Sequence, residues 1–263
     1  MRAWLKWWLA ITAVASPILV NAAECIATSG ARRVPLLELY TSQGCDSCPP
    51  TDRWIVGLPA RGLAPDRVVT LAFHVDYWNY LGWNDPYAKL EFSGRQRAAA
   101  RRNAARIVYT PQLLLNGKDY RRGALRDDFA DRISAINREQ PLASINMKID
   151  SHAERLLSVS AESVLHQTAR RPAVFAYLAL YEDRLANQVL AGENRGRRLE
   201  HAAVVRELAG PFPFNAQGAA RFSHDFRLEH GWKRADLAVA AFAQSETSGD
   251  VLQALALGVC AAR

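Results

Sequence analysis

Lysine and methionine are scarce in this chain of 263 residues. Lys stands only at positions 6, 89, 118, 148 and 233, so the formal charge of +7 is carried mostly by arginine. The arginines are scattered among alanines and acids. Only Arg95 to Arg106 is dense, and it reads as a solvated helix face, with no nucleic-acid motif beside it. Nucleic acid is therefore not expected as a partner. Met147 is the sole methionine past the first residue, so there is no methionine-rich tract for soft metals. No second Cys/His pair stands at zinc-ligand spacing. There is no internal repeat, no low-complexity linker, no phosphate-cradling glycine loop and no Ser-His-Asp set. His152, His166, His224 and His230 fall into no constellation.

A long apolar run is also missing. The longest, Trp7 to Val20, is short for a membrane span and broken by Pro17. With Arg2 and Lys6 before it and Val20-Asn21-Ala22 after it, the run predicts a signal peptide over residues 1–22. Glu24 before Cys25 argues against a lipoprotein. The expected location is periplasmic or secreted, with no membrane span after cleavage. Disulfides persist in such compartments. Four cysteines remain: 25, 45, 48 and 260. Cys45 and Cys48 form a close pair. That leaves Cys25 and Cys260 near the mature ends, and chain ends often lie close in space. A structural disulfide between them is expected.

What the chain does have is Leu39-Tyr-Thr-Ser-Gln-Gly-Cys-Asp-Ser-Cys-Pro-Pro50. The apolar run Val34 to Tyr40 predicts a buried strand, followed by a loop, Cys-x-x-Cys and a helix. A helix start favours a thiolate through its dipole, and Pro49 and Pro50 suit a first turn. Asp46 raises the Cys45 thiol pKa against that dipole, while Ser47 offers a hydrogen bond in the other direction. The spacing also fits half a zinc site or an inert disulfide. Downstream, Thr51 to Gly62 predicts a helix and Arg67 to His74 a second, parallel strand. The aromatic loop Val75 to Tyr87 should then share a rim with the cysteines, unless its rings roof a small core. Leu90 to Val108 predicts a helix. Thr110-Pro111 opens a short strand, Asn116-Gly117 turns a hairpin, and Leu125 to Glu139 closes as a helix. Past Gln140-Pro141 the period changes to two. Strands are expected over 143–150, 156–161, 173–181, 219–228, 236–244 and 251–257, with a helical turn or two over Glu200 to Leu208.

The first half resembles the thioredoxin superfamily, nearest in pattern to glutaredoxins, through Tyr40-Thr41, Cys45-x-x-Cys48, Thr110-Pro111-Gln112, Asn116-Gly117 and Gly123. The resemblance implies a cis bond before Pro111. More closely, the chain resembles a secreted thioredoxin-like family known as domain of unknown function 1223 (DUF1223). The residues carrying this are Thr41-Ser-Gln-Gly-Cys45, Ser47-Cys-Pro-Pro50, Phe73-His-Val-Asp-Tyr-Trp78, Tyr80-Leu-Gly-Trp83, Arg95-Gln-Arg97, Tyr109-Thr-Pro-Gln112 and Gly192-Glu-Asn-Arg-Gly196. The expected architecture is an α/β thioredoxin-like fold over 23–140 with a β-rich, antiparallel, sandwich-like extension over 141–263.

The expected function is thiol-disulfide exchange with envelope proteins or small thiols, needing no cofactor beyond the disulfide. Cys45 attacks from the more exposed position, Cys48 resolves, and Thr110 and Pro111 offer backbone to the substrate. His74 and Asp76 are candidates for a proton shuttle, and Tyr77 and Trp78 for the substrate rim. The alternatives are a copper metallochaperone holding Cu(I) through Cys45, Cys48 and His74, and an interaction module whose disulfide is only structural. The turn Gly192 to Gly196 reads as an anion holder, a docking element or a self-ordered loop. Oligomeric state is not indicated.

Overall fold

The computed structural model describes residues 25–121, 128–153, 155–166 and 173–260. The expected signal peptide and the first residues of the expected helix 125–139 lie outside the described residues. After β1 (Cys25–Thr28) comes β2 (Leu36–Thr41), whose six residues are all buried. The cysteine loop leads into α1 (Pro49–Val56), and β3 (Val69–His74) returns parallel to β2 with Leu36 opposite Val69. α2 (Leu90–Arg102) precedes the hairpin of β4 (Gln112–Leu115) and β5 (Lys118–Asp119), then α3 (Phe129–Asn137). Asn116 and Gly117 turn that hairpin with φ of 49° and 76°, the left-handed pair that matches strand twist. A side chain at Gly117 would meet the Gly249 carbonyl oxygen at 2.0 Å, so only glycine fits there.

The remaining strands are β6 (Ala143–Ala153), β7 (Leu156–Leu165), β8 (Val174–Glu182), β9 (Leu185–Gln188) and β10 (Arg198–His201). They are followed by β11 (Val204–Pro213), β12 (Ala219–Arg227), β13 (Leu237–Ser245) and β14 (Val251–Gly258). Eight strands form one sheet in the order β14-β13-β8-β11-β3-β2-β4-β5, and four form a second, β1-β6-β7-β12. β9 and β10 make a separate arm. No helix among the described residues is long and apolar enough to cross a membrane.

This corrects the expected fold class. Among the described residues the molecule is mostly β, with 42% strand, 18% helix and three α-helices, and it is not an α/β thioredoxin-like fold with an appended β layer. The segment that makes the difference is β11. The run Glu200 to Leu208, which leads into it, holds Ala, Glu, Leu and Arg, and the sequence predicts one or two helical turns there. In the structure β11 is a strand seated between β3 and β8, with Val204 opposite both Ala72 and Glu182. Tertiary pairing overrides the local preference. Strands from both sides of Gln140-Pro141 thereby join a single sheet.

The long sheet buries two faces, as period-two alternation requires. On one face Leu36, Tyr40, Phe73, Ala240 and Phe242 pack with Phe92 and Ala99 of α2. On the other, Leu37, Leu39 and Ala72 pack against Trp54, Ile55, Phe129 and Ile133 of α1 and α3. Farther along that second face, Leu178, Leu180, Val239 and Ala241 pack against Ile145, Met147, Val159 and Phe226 of the four-stranded sheet. Each such large side chain contributes about 1.5–3 kcal/mol when fully buried. Cys25 of β1 is bonded to Cys260 beyond β14, joining the two sheets covalently.

Candidate functional site

The strand ends of β2 and β3 carry the polar centre of the molecule. Cys45 and Cys48 are bonded to each other. Cys48 is the N-cap of α1, and its carbonyl accepts the N–H groups of Thr51 and Asp52. Pro49 and Pro50 fill the first two helical positions, where the absent N–H costs no bond. Both cysteines are 0% exposed, while Asp46 and Ser47 between them face solvent. The Cys45 sulfur lies 3.4 Å from the Ser47 hydroxyl.

Cover comes from the turn between β9 and β10. Asn194 donates from Nδ2 to the carbonyls of Gln43 at 2.9 Å and Cys45 at 2.8 Å. Glu193 Oε2 accepts the Asp46 N–H at 3.1 Å. Of the sequence readings of Gly192 to Gly196, the structure displays docking, here onto the cysteine loop itself. Gly44 packs tightly, since a Cβ there would stand 3.0 Å from that of Trp78 and 3.2 Å from its carbonyl oxygen. Trp78 in turn donates from Nε1 to Thr110 Oγ1 at 2.7 Å. The Thr110-Pro111 bond is cis. The cysteine loop, Trp78 and Thr110 thus share one rim. Asp76 is tied to α2 instead, bonded through its N–H and carboxylate to Ser93. The Tyr77 hydroxyl donates to Gln96 of the same helix.

Behind the disulfide lies a buried polar network. Thr41 donates to Asp52 Oδ2 at 3.0 Å, and Asp52 Oδ1 lies 3.4 Å from His201 Nδ1. His201 Nε2 is 3.1 Å from Gln43 Nε2. Trp83 can only donate, and it donates to Gln43 Oε1 at 3.0 Å. The Gln43 amide nitrogen is therefore the group presented to His201. Alongside, His74 Nδ1 contacts Asp85 Oδ2 at 2.7 Å. Asp85 also accepts the N–H groups of Gln43 and Tyr87. Burial alone would lower the His74 pKa, but the Asp85 charge and hydrogen bond outweigh it and the net shift is upward. Burial likewise pushes Asp85 up, and His74 with the two backbone donors brings it net downward. Both shifts favour the charged form of each partner, held away from water.

A groove of about 430 Å³ runs beside the start of α1, lined by Thr51, Ile107, Tyr109, Pro111, Leu113 and Tyr120 among others. Ile107 is 67% exposed there. The groove is apolar and open, with Thr51 standing three positions after Cys48.

The sequence reading passed over Asp52, Gln43, Trp83, Asp85 and Asn194 as site residues. His201 was likewise not singled out. Asp52 had one readable signal, a carboxylate one turn into a helix and three positions before Ile55, hence on its buried face. His201 had none, because only the β9–β10 arm brings it 4.9 Å, centroid to centroid, from the His74 ring.

A family model described as "Protein of unknown function (DUF1223)" matches residues 36–244. The chain belongs to the DUF1223 family. Every residue of the site just described lies inside the matched span, whereas Cys25 and Cys260 lie outside it. Among solved structures, this DUF1223 chain is similar to protein AGR_C_4864 from Agrobacterium tumefaciens. Identity is 25% and the TM-score 0.62, over 89% of this chain and 98% of that one. It is also similar in fold to HBP35 of Porphyromonas gingivalis, at 14% identity and a TM-score of 0.67, over 88% and 76% of the two chains. No curated protein matches the sequence.

Proposed function

We propose that this DUF1223 protein is a thiol-disulfide oxidoreductase of the cell envelope, working through Cys45 and Cys48. The observation that carries the reading is a Cys-x-x-Cys disulfide placed at a helix start, backed by buried ionisable groups and flanked by an open apolar groove. A merely structural cross-link needs none of these surroundings.

In the reducing direction the Cys45 thiolate attacks one sulfur of a partner disulfide. A mixed disulfide forms and one partner thiolate leaves. The Cys48 thiolate then attacks the Cys45 sulfur, which restores the Cys45–Cys48 bond and releases the second partner thiol. Two electrons pass from the protein to the partner, and the oxidising direction is the reverse. The groove beside Thr51 and Pro111 is where an extended, apolar partner segment would lie. Because both sulfurs are covered, the turn Gly192 to Gly196 has to lift for exchange, and Asn194 and Glu193 are the latches to break.

Cys48→Ser protein, which lacks the resolving thiol, should accumulate mixed disulfides with envelope proteins or small thiols that wild type does not. Wild type should equilibrate between dithiol and disulfide in glutathione or thioredoxin buffers while folded. A pair that stays oxidised until the protein unfolds would sink the proposal and favour a structural cross-link.

A further inference from the structure

Asp52, His74 and His201 come from three separate elements: the first turn of α1, the end of β3 and the end of β10. All three are buried, and one potential ligand atom from each lies within 4.8 Å of the others. We propose that these side chains form a binding site for one divalent transition ion of the borderline class that takes imidazole and carboxylate together. The site is distinct from a thiol site and does not depend on redox activity of the cysteine pair.

Four observations carry this. His74 Nε2 is buried and has no hydrogen-bond partner, although buried polar atoms seldom go unpaired. Its other nitrogen is held by Asp85 at 2.7 Å, the carboxylate–imidazole arrangement that orients a ligating histidine. Next, the 3.4 Å between Asp52 Oδ1 and His201 Nδ1 is long for a carboxylate–imidazole hydrogen bond. Two atoms each about 2.1 Å from a tetrahedral ion stand roughly 3.4 Å apart. Thr41 holds Asp52 Oδ2, which leaves Oδ1 for the ion. Lastly, a cavity of about 70 Å³ between α1 and β10 reaches Asp52 and His201 but not His74, with Arg53, Arg198 and Glu200 at its walls, and gives a path to the cluster from that side. That volume admits an ion with its water and no organic ligand of ordinary size.

The charges balance: Asp52 and Asp85 supply two negative charges against a dication, and both imidazoles bind neutral. With the ion on Nδ1, His201 carries its proton on Nε2, so binding has to turn the Gln43 amide and release Trp83 Nε1 from Gln43 Oε1. A water completes three protein ligands as a fourth.

The test uses oxidised full-length protein, with Cys45–Cys48 intact, titrated with Co²⁺ and then Zn²⁺. One equivalent of Co²⁺ should give visible d–d bands of low-coordinate cobalt, displaced by Zn²⁺, and should shift or broaden the imidazole resonances of His74 and His201 in wild type. His74→Gln and His201→Gln should each weaken binding by roughly 100-fold or more, and Asp85→Asn by about 10–100-fold. Absence of cobalt bands would overturn the proposal. So would binding that perturbs other histidines, or binding that appears only after reduction and disappears in Cys45→Ser. The wild-type resonances decide the matter even if a variant fails to fold. Failure of thiol exchange in the trapping experiment leaves this outcome untouched.

Discussion

The two halves of the long sheet's second face are built by opposite rules. Beneath β8 and β13 the filling is aliphatic and aromatic: Ile145, Met147, Val159, Leu178, Val239 and Phe226. At the ends of β2 and β3, Thr41, Gln43, Asp52, His74, Asp85, Asn194 and His201 are just as buried and all polar. A polar group away from water costs stability unless it is paired. The chain meets that cost by hydrogen-bonding nearly every atom of the network. The two disulfides follow the same division. One cross-links chain ends on the dry side, at a sequence separation of 235, and the other spans neighbours beside the polar network.

The largest effect should come from the dry side. Cys25→Ser with Cys260→Ser opens the loop between the chain ends and should cost up to about 5 kcal/mol in chemical denaturation, in the chain-entropy account. Thiol exchange at Cys45–Cys48 should persist in the folded fraction. Equal loss of exchange would erase the distinction between the halves.

Asp85→Ala should cost about 3–5 kcal/mol, because it leaves His74 buried without its counter-charge. In chelator-treated protein this cost has a definite pH window. His74 has its pKa raised from 6.5, so its share is fully present below 6.5 and fades as pH rises through the folded value. Asp85 has its pKa lowered from 3.8, so its share is present above 3.8 and fades as pH falls through the folded value. The gap between the denaturant midpoints of wild type and variant should therefore narrow at both extremes of pH, leaving the part that comes from the unpaired Gln43 and Tyr87 N–H groups. A constant gap would mean that the pair is not ionised in the folded protein.

Leu178→Ala should cost about 2–5 kcal/mol through the cavity left between the sheets. Measured by denaturation alongside thiol exchange, it should lower stability and spare the rate. Its value sharpens the comparison with Asp85→Ala, which removes a similar amount of stability from the polar side.

The smallest stability change belongs to Asn194→Ala. Two hydrogen bonds are lost, each about 0.5–1.5 kcal/mol. The informative readout is kinetic. Reduction of Cys45–Cys48 by dithiothreitol should become several-fold faster as the latch over the sulfurs is removed. An unchanged rate would show that the turn does not gate access.

Much of the element order was legible in sequence, because β2, β3, α2 and β13 carry strong periodicity and the hairpin at Asn116-Gly117 carries its own turn chemistry. The architecture was not. The run Glu200 to Leu208 that leads into β11 has helix-favouring residues, and nothing local announces that the partners of β11 are β3 and β8. Ala203 just before it adopts a φ of 54°, an uncommon conformation for a residue with a side chain. That residue is held by Asp183 accepting its N–H at 2.7 Å and by its own carbonyl accepting from Ala72 at 2.7 Å. Such a turn is decided by partners distant in sequence.

By itself, the sequence determined where the groups of the proposed chemistry stand: Cys45 and Cys48 at a strand-to-helix loop, Thr110-Pro111 downstream, and an aromatic loop after β3. Those are local features, set by spacing, turn preference and strand polarity. Only the tertiary structure decided what surrounds them. Parallel insertion of β11 beside β3 turns the β9–β10 arm across α1. That arm seats Asn194 over the cysteine loop and sets His201 against Asp52 and His74. These groups lie far apart along the chain, and only close packing of a single eight-stranded sheet makes them neighbours.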